Sequence, residues 1–394
     1  MTSPKITRRD TLKTGSAAIA IALAEMSMPD FAFPGQDKLG DLVPFLNMPR
    51  ARPQMLDWET LDSWITPQDQ VFGVSHYGVP KFDPKTFKLQ ISGLVDRPQA
   101  LTLEQIQGLP KKDQLMTLEC SGNGASKGFM SAIYNSKWTG TPLASLLKSC
   151  GIKPQAKEVV FFGVDQREET IRKGTPRERK FNSQFARSLS VDDAMSLPLL
   201  LAYQRNGKPL ELRNGAPLRL IVPGWYGIAN VKWLTRIELR NRRFVGRFMG
   251  RDYVTLRGER HGQRIDYVET SVSQMNLKSI IARVTRRPTT GGVVPVKAYG
   301  AAWNNGTAIG KVEVKVGEGK WVEATLDKQP RAKYSWTFFS IDLGNLKPGK
   351  HTLVSRAIDV NGRVQPSAKD DEIALKKTYW EAYQQWPREI ELKA

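Results

Sequence analysis

The sequence predicts an α+β protein made of two domains, and three observations support this prediction. The chain has 394 residues, which is long enough for two hydrophobic cores. Up to about residue 275, short strand and helix signals follow one another in mixed order, which argues against a repeating βαβ fold. From there to about residue 375, strand-like runs recur at the spacing of an immunoglobulin-like β-sandwich. We therefore expect a mixed domain over 44–272 and a β-sandwich over 276–375.

The mixed domain follows an irregular, Pro-rich stretch over 34–70. Apolar runs predict strands at 87–95, 115–118, 159–164, 199–203 and 217–223. Helical spacing and capping residues predict short helices at 102–109 with Thr102 as N-cap, at 142–150 ending before Gly151, and a capped turn at 190–194. The charged stretch between residues 166 and 181 is expected to be a polar loop.

The β-sandwich is expected to contain strands at 280–284, 293–299, 311–316, 336–343 and 353–360. Gly-Gly, Asn-Asn-Gly, Pro-Gly and Asn-Gly turn signals separate these runs. No Gly-rich nucleotide fingerprint, zinc-ligand spacing or haem attachment motif occurs in the sequence. No apolar run approaches the ~20 residues that a membrane span needs.

The first 33 residues have the features of an export signal. Arg8 and Arg9 are followed by Leu12 and Lys13, and then by a run of small apolar residues over 17–24. A basic start with a short apolar segment is typical of a secretory signal rather than a membrane span, and the paired arginines fit the twin-arginine route. That route carries folded proteins, so we expect a periplasmic protein that acquires a cofactor before export.

The charge of the chain favours anionic partners. The formal net charge is +20, and removal of residues 1–33, which hold four basic and three acidic residues, leaves +19. Such a charge suits an acidic protein, an anionic substrate or an anionic cofactor. The lysines and arginines are spread along the chain without a nucleic-acid recognition motif, so no nucleic-acid partner is expected.

The two cysteines of the chain have different surroundings. Cys120 lies in the segment "LECSGNG" over 118–124, between an apolar run and a glycine-rich turn. Cys150 shares a helical face with leucines and fits a buried free thiol. A disulfide between the two is one interpretation. The other is that Cys120 ligates a metal, because a thiolate is a soft, strongly donating ligand and the glycines behind it let a bulky cofactor approach.

Five segments resemble the sulfite oxidase family of molybdopterin enzymes. They are 118–124 with Cys120, "FGVSHYGVP" at 72–80, "VVFFGVD" ending at Asp165, "PLRLIVPGWYGIANVKW" at 217–233, and Arg251-Asp252-Tyr253. The likeness covers roughly residues 60–370, because the β-sandwich also resembles the family's C-terminal dimerisation domain. It implies a sulfite-oxidase-type molybdopterin-binding domain followed by an immunoglobulin-like dimerisation domain, and a homodimer.

The resemblance also implies the site residues. It makes Cys120 the ligand of molybdenum in a molybdenum–molybdopterin cofactor, and places Tyr253 beside the metal, where it would assist proton-coupled electron transfer. The implied cofactor contacts are Phe72, Ser75, His76, Asp165, Asn214, Arg219, Asn230, Val231 and Lys232. Without the resemblance, Arg219 is either a solvent-facing strand residue or an inward anion ligand, Lys232 is a surface lysine, and His76 is a buried, hydrogen-bonded histidine.

Arg356 is a further candidate in the second domain. It shares a strand face with Val354, Ile358 and Val360, and a lone arginine on an apolar face needs a partner. It aligns with a family arginine that helps to bind the substrate anion, so the resemblance makes it a catalytic-site residue. A salt bridge within the sandwich or at a dimer interface is the alternative.

The sequence departs from the family pattern where an anion would bind. Val74 stands where the family has a substrate-binding arginine, and Gly124 or Ala125 replaces a second arginine. The loop after Cys120, which carries a tryptophan on the substrate side in vertebrate relatives, is shortened to 126–137. Asn214 stands in place of a cofactor-contacting histidine and keeps both donor and acceptor capacity. The cofactor site is therefore expected to be kept and the anion pocket to be weakened.

Three functions follow from this reading. The first is a periplasmic molybdenum enzyme that oxidises sulfite to sulfate and passes electrons to an external c-type cytochrome, since no haem motif is present. The second is reduction of an S- or N-oxide such as methionine sulfoxide, which as a neutral substrate needs no arginine at Val74. The third is a non-catalytic secreted binding protein with a Cys120–Cys150 disulfide.

Overall fold

The computed structural model describes residues 40–393 except 49–51, 62, 82, 127–128, 290 and 328–331. The predicted signal segment 1–33 lies outside the described residues. Two five-stranded sheets and a hairpin form the first domain, and two further sheets form the sandwich of the second. Across the described ranges, the helices are all too short or too polar to cross a membrane. The α+β prediction is confirmed.

The first sheet of the mixed domain is built around a long antiparallel pair. In order across the sheet, its strands are Gln99–Leu101, Leu89–Gly93, Leu234–Arg240, Glu158–Ile171 and Arg179–Ser190. Leu234–Arg240 runs parallel to Leu89–Gly93, and the other pairs are antiparallel. Phe161 is fully buried in the core, as the continuous apolar run at 159–164 predicts, and Ile237 on the neighbouring strand is buried with it.

The prediction of a polar loop between residues 166 and 181 is wrong. The strands Glu158–Ile171 and Arg179–Ser190 continue far beyond the apolar core and pair residue by residue out to Ile171 and Arg179. Most side chains of this extension are exposed, so the sequence lacks the buried alternate positions that mark a strand. The backbone ladder holds this arm in β conformation, and at its base the buried Glu169 accepts from Tyr77 and Arg247.

The second sheet carries the cysteine segment at the end of one strand. In order, its strands are Arg219–Ile221, Leu200–Arg205, Ile133–Pro142 and Lys112–Glu119, with Lys208–Pro209 paired to Leu200–Arg205. All pairs are antiparallel. Cys120 therefore follows a strand directly, as predicted, and the predicted strands at 199–203 and 217–223 are confirmed with shifted ends.

Short helices close the sheets at their ends. The helices are Leu103–Gln107, Leu143–Cys150, Val191–Ser196, Arg247–Gly250 and Asp371–Ala374, and 3-10 turns occupy Gln68–Gln70, Pro84–Thr86, Leu212–Asn214 and Gly227–Ala229. Thr102 forms the predicted N-cap as part of a capping box with Gln105. Ser190 caps the third helix by accepting from the amide of Asp193 at 3.0 Å.

A two-stranded hairpin, Val254–His261 with Arg264–Ser271, links the two domains and has no counterpart in the sequence prediction. Its side chains are largely exposed or half-buried on both faces, so no alternation of apolar and polar residues predicts these strands. Tyr253 directly precedes the first strand of this hairpin, and its side chain belongs to the site described below.

The second domain is a sandwich of two sheets. One contains Asp41–Leu42, Lys278–Arg286, Val294–Trp303, Thr337–Leu346 and Thr325–Leu326, and the other contains Val322–Glu323, Ile309–Val316, Gly349–Asp359 and Arg388–Leu392. The five predicted strands are confirmed and are longer than predicted. Asp41–Leu42 and Arg388–Leu392 come from outside 276–375, so both ends of the described chain complete this domain.

The stretch predicted to be irregular, 34–70, contributes tryptophans to the seam between the domains. The ring of Trp58 stacks on Trp303 at 6.1 Å and tilts against Trp336 at 5.7 Å. Its Nε1 donates to the carbonyl of Met130 at 2.7 Å, so the indole is buried with its polar atom satisfied. This seam fixes the second domain against the sheet that carries Cys120.

Candidate active site

Most of the predicted site residues surround one cavity in the first domain. The cavity opens to solvent, and its wall carries both polar and apolar side chains. Of the predicted residues, those that line it are Cys120, Tyr253, Phe72, Ser75, His76, Asp165, Asn214, Arg219, Asn230 and Lys232. They come from segments far apart in the sequence, so the fold brings them together.

Cys120 lies in a tight turn after its strand. Its amide donates to the carbonyl of Ala132, and its own carbonyl accepts from the amide of Asn123, both at 2.9 Å. Burial raises the pKa of the Cys120 thiol, and a hydrogen bond from the backbone of Gly122 opposes that rise. Both cysteines of the chain are free, so the Cys120–Cys150 disulfide is wrong.

A buried ion pair supports the cysteine turn from the second domain. Lys278 donates from Nζ to Glu119 Oε1 at 2.7 Å and to the carbonyl of Asn123 at 3.1 Å. Trp303 donates to Glu119 Oε2 at 2.9 Å, and Asn123 donates to Oε1 at 2.9 Å. The Glu119 carboxylate is therefore fully hydrogen-bonded although it is buried. The sequence analysis missed this support, because its partners are distant along the chain.

Arg219 points inward, as the resemblance implied. Its two Nη atoms donate to the carbonyls of Asn214 at 2.9 Å and Asn230 at 3.1 Å, and its guanidinium lies 4.8 Å from the ring centre of Trp138. These two carbonyls fix the orientation of the side chain in the cavity wall. The Asn230 side chain is held separately, since its Oδ1 accepts from the amide of Val222 at 2.8 Å.

Lys232 and Asp165 face the same cavity with shifted pKa values. Lys232 donates to Ser75 Oγ at 2.9 Å, and burial together with the charge of Arg219 lowers its pKa to about 7. Burial raises the pKa of Asp165 to about 6, although the charge of Lys232 opposes the rise. Both groups therefore change protonation near neutral pH, so their charge depends on what else occupies the cavity.

His76 and Tyr253 form a hydrogen-bonded pair in the cavity. The Tyr253 hydroxyl and His76 Nε2 lie 2.9 Å apart. Burial, assisted by the charge of Lys232, lowers the pKa of His76 to about 4, and burial raises the pKa of Tyr253. At neutral pH the imidazole is uncharged and the phenol is protonated. In the tautomer with Nε2 unprotonated, Tyr253 donates to His76.

The C-terminal segment supplies aromatic side chains that the sequence analysis missed. The ring of Trp380 stacks on Tyr253 at 4.2 Å, and Tyr379 follows at 4.0 Å from Trp380. A Cβ placed on Gly122 would lie 3.6 Å from Trp380, 3.8 Å from Tyr379 and 3.9 Å from Cys120 Sγ. The two rings and the cysteine sulfur therefore all flank Gly122, and Tyr379 remains 54% exposed. No local pattern at 379–380 predicts this return of the chain.

Two predicted residues do not line the cavity. Val231 is buried in the core, and its amide and carbonyl bond to Ala229 and Leu220. Arg356 lies in the sandwich, where Nη2 and Nε contact Glu313 Oε2 at 2.7 and 2.8 Å and the guanidinium covers the ring of Trp321. The alternative interpretation of Arg356, a salt bridge within the sandwich, is the one that the structure supports.

The cavity wall contains polar atoms without partners. Among the described residues, Asp165 Oδ1, Arg219 Nε and Ser121 Oγ are buried and have no hydrogen-bond partner. All three residues line this cavity. Buried polar atoms are nearly always hydrogen-bonded, so a ligand with both donors and acceptors fits this wall. Gly163 keeps the wall open, because a Cβ there would lie 2.5 Å from Asp165 Oδ1.

Comparisons with known proteins agree with this geometry. Residues 76–248 match the family model of the oxidoreductase molybdopterin binding domain, and 269–380 match the Mo-co oxidoreductase dimerisation domain. Sulfite oxidase of Arabidopsis thaliana is 29% identical over 78% of this chain and 83% of its own length. Mitochondrial sulfite oxidase of Rattus norvegicus is 28% identical over 77% of this chain, and the match spans 58% of that relative.

A solved structure has the same fold over nearly its whole length. A chain of the sulfane dehydrogenase SoxCD from Paracoccus pantotrophus superposes with a TM-score of 0.71 at 25% sequence identity, and the match covers 90% of both chains. This coverage includes both domains.

Proposed function

The chain belongs to the sulfite oxidase family of molybdopterin oxidoreductases, and from that premise we propose that it oxidises sulfite to sulfate. It is an enzyme with a molybdopterin-binding domain followed by a dimerisation domain, and membership in the family implies a molybdenum–molybdopterin cofactor. The observation that carries the proposal is the cavity of unpartnered polar atoms that ends at a single free cysteine.

The residues of the cavity fit this cofactor. Cys120 would ligate the metal as a thiolate, which requires loss of the thiol proton on metal binding. Arg219 and Lys232 would hold anionic groups of the organic part, and Asp165 would accept from its ring donors. The remaining cavity residues that would contact it are Phe72, Ser75, His76, Asn214 and Asn230. When bound, the cofactor would supply two-electron oxygen-atom-transfer chemistry.

The protein's own part in the reaction concerns protons. Oxidation of sulfite to sulfate takes up one water and releases two protons and two electrons. His76 is uncharged at neutral pH, and with Nε2 unprotonated it accepts the hydrogen bond of the Tyr253 hydroxyl at 2.9 Å, which holds that hydroxyl in place. Tyr253, which is buried and stacked on Trp380, would hold and pass protons next to Cys120.

One position in the lining of the cavity lacks the cation that the family has there. Val74 lines the cavity and is 44% exposed where the family has an arginine. Loss of one charge-assisted contact weakens binding by about 1.5–3 kcal/mol, which is roughly 10- to 150-fold in affinity. We therefore propose a sulfite oxidation with a high KM.

The second candidate is reduction of an S- or N-oxide such as methionine sulfoxide. The exposed Val74 and the rings of Tyr379 and Trp380 beside Cys120 favour a neutral substrate with an apolar group, because sulfur and methyl groups pack well on aromatic rings. Sulfite-dependent reduction of cytochrome c supports the first function. Sulfoxide-dependent oxidation of a reduced viologen dye, without sulfite activity, supports the second.

For the electron acceptor we propose an external c-type cytochrome with an acidic face. The outer part of the hairpin over 166–184, here called the basic arm, exposes six cations: Arg167, Arg172, Lys173, Arg177, Arg179 and Lys180. Arg167 lies over the ring of Tyr77 at 5.1 Å, which places the base of the arm next to His76. Such a surface speeds the approach of an acidic partner, so the rate should fall steeply with added salt.

We also propose that the protein is exported to the periplasm and that it forms a homodimer. The pattern of residues 1–33 supports export to the periplasm by the twin-arginine route. The match of 269–380 to a dimerisation domain supports a homodimer through the sandwich. Fusion of residues 1–40 to a reporter tests the first, and light scattering of the purified protein tests the second.

Metal analysis combined with a sulfite assay tests the central proposal. We expect purified protein to contain molybdenum in proportion to the chain and to reduce cytochrome c only when sulfite is added. Protein that carries molybdenum but oxidises no sulfite would overturn the proposed substrate and leave the family assignment intact.

A further inference from the structure

A second cavity lies outside the site described above. Its space is about 690 Å³ including the open mouth. It is lined by Arg187 and Ser188 from the strand Arg179–Ser190, by Trp225, and by the end of the linking hairpin at Ser271. It shares no lining residue with the cavity at Cys120.

Three hydrogen-bond donors in this wall lack partners. Among the described residues, Arg187 Nε, Trp225 Nε1 and Ser271 Oγ are buried and make no hydrogen bond. Arg187 is 2% exposed and Trp225 is 9% exposed, so bulk water does not solvate them freely. An indole N–H and a guanidinium N–H can only donate, so a ligand in this cavity would have to supply hydrogen-bond acceptors.

The charge of Arg187 is also unmatched. Its two Nη atoms donate to the backbone carbonyls of Phe248 and Val272, and within the described ranges no carboxylate lies in salt-bridge range of it. Burial lowers the pKa of Arg187 to about 10, which still leaves it charged at neutral pH. A buried cation without a counter-ion is unfavourable, and a bound anion would relieve this.

The two carboxylates of the cavity are already engaged. Glu158 accepts from Ser188 Oγ at 2.9 Å and from the amide of Phe244, and Arg243 lies 3.9 Å from it. Asp193 accepts from Ser190 Oγ at 2.8 Å. Neither contacts Arg187, so the three free donors form the part of the wall that has no acceptor of its own.

We propose that this cavity binds a small inorganic oxyanion of the sulfate or phosphate class through Arg187 Nε, Trp225 Nε1 and Ser271 Oγ. Tetrahedral oxyanions offer several acceptor atoms, and Arg is the side chain that recognises them best. The site is independent of the proposed sulfite chemistry.

The site is connected to the active site through the backbone. Val272, whose carbonyl accepts from Arg187, donates its amide to the carbonyl of Tyr253 at 2.9 Å. Phe248, whose carbonyl also accepts from Arg187, stacks on His76 at 4.7 Å. Arg187 therefore contacts the two segments that hold the Tyr253–His76 pair.

Binding of sulfate and of phosphate to the purified holoenzyme tests the proposal, measured by titration calorimetry and by thermal shift at constant ionic strength. Trp225→Phe and Ser271→Ala each remove one donor with little change of shape. We expect each to weaken anion affinity by about tenfold or more, since a hydrogen bond to a charged group is lost. Trp386→Phe is the matched control, because Trp386 Nε1 also lacks a partner among the described residues but lies outside this cavity. We expect it to bind like the parent protein.

Crystals soaked in selenate locate the anion directly. We expect an anomalous peak within hydrogen-bond distance of Arg187 Nε and Trp225 Nε1. Ordered waters at the three donors with no selenate peak would overturn the proposal. Equal sulfate affinity in the parent protein and both variants would overturn it too, since the anion would then bind elsewhere, including at Cys120. The dissociation constants of sulfate and of phosphate, compared under the same conditions, show which of the two anions the cavity prefers.

Discussion

Replacement of Lys278 by methionine should destabilise the protein strongly and disturb the cysteine turn. The ammonium group is fully buried and contacts Glu119 Oε1 at 2.7 Å and the carbonyl of Asn123 at 3.1 Å. Methionine fills a similar volume but leaves the Glu119 carboxylate without its counter-ion. Removal of one partner of a buried ion pair typically lowers the free energy of unfolding by about 3–5 kcal/mol.

The hydrogen bonds that Glu119 keeps allow a narrower estimate of the loss in stability. Glu119 keeps the donors Trp303 at 2.9 Å and Asn123 at 2.9 Å, so it stays hydrogen-bonded and the loss should lie near the lower end of that range, about 3 kcal/mol. The double variant Lys278→Met with Glu119→Gln should recover part of the loss, because no charge is then left unpaired. Lys311→Met is the matched control: the Lys311 side chain is 43% exposed and Glu313 keeps its pair with Arg356, so we expect no measurable change.

Urea unfolding of the cofactor-free protein, followed by tryptophan fluorescence, measures these differences. Molybdenum content of the same variants reports on the Cys120 turn, because Lys278 binds the carbonyl of Asn123 within it. A loss below about 1 kcal/mol for Lys278→Met, equal to that of an exposed pair, would refute the view that this pair supports the site.

The remaining predictions concern the cavity and its surroundings. Cys120→Ser should lose molybdenum, measured by elemental analysis, because a hydroxyl is a far poorer ligand than a thiolate; a variant that keeps its molybdenum and turnover contradicts the assignment. Burial lowers the pKa of His76 from 6.5 to about 4. Between these two pH values His76 is protonated in the unfolded chain and unprotonated in the folded protein. The stability from an uncharged His76 is complete above about pH 6.5 and falls by about 3 kcal/mol as the pH drops towards 4, and His76→Gln should remove that part of the unfolding profile. Val74→Arg should lower the KM for sulfite at least about tenfold in steady-state assays, and an unchanged KM would exclude Val74 from the anion path. Arg356→Gln should leave the KM for sulfite unchanged, because Arg356 pairs with Glu313 in the sandwich; a large rise in KM would show that it reaches the substrate.

Prediction from the sequence succeeded where local pattern and burial agree. The helix predicted over 142–150 has Leu143, Leu146, Leu147 and Cys150 on one face and a glycine after it, and the structure has this helix at Leu143–Cys150 with Pro142 as its N-cap. It failed in the basic arm, where strand pairing continues without a buried face. It also placed Arg356 near the substrate by alignment, whereas Glu313 on the neighbouring strand pairs with it.

Local periodicity and contiguous motifs were enough to predict the α+β organisation, the strand that ends at Cys120, and most of the polar residues around the cofactor cavity. The surroundings of that cavity depend on tertiary packing. Lys278 beneath the cysteine turn, Trp380 against Tyr253, and the unpartnered donors at Arg187 all depend on segments that are far apart along the chain. Burial and partner choice in such places follow from the packing of whole sheets, which no short stretch of sequence specifies.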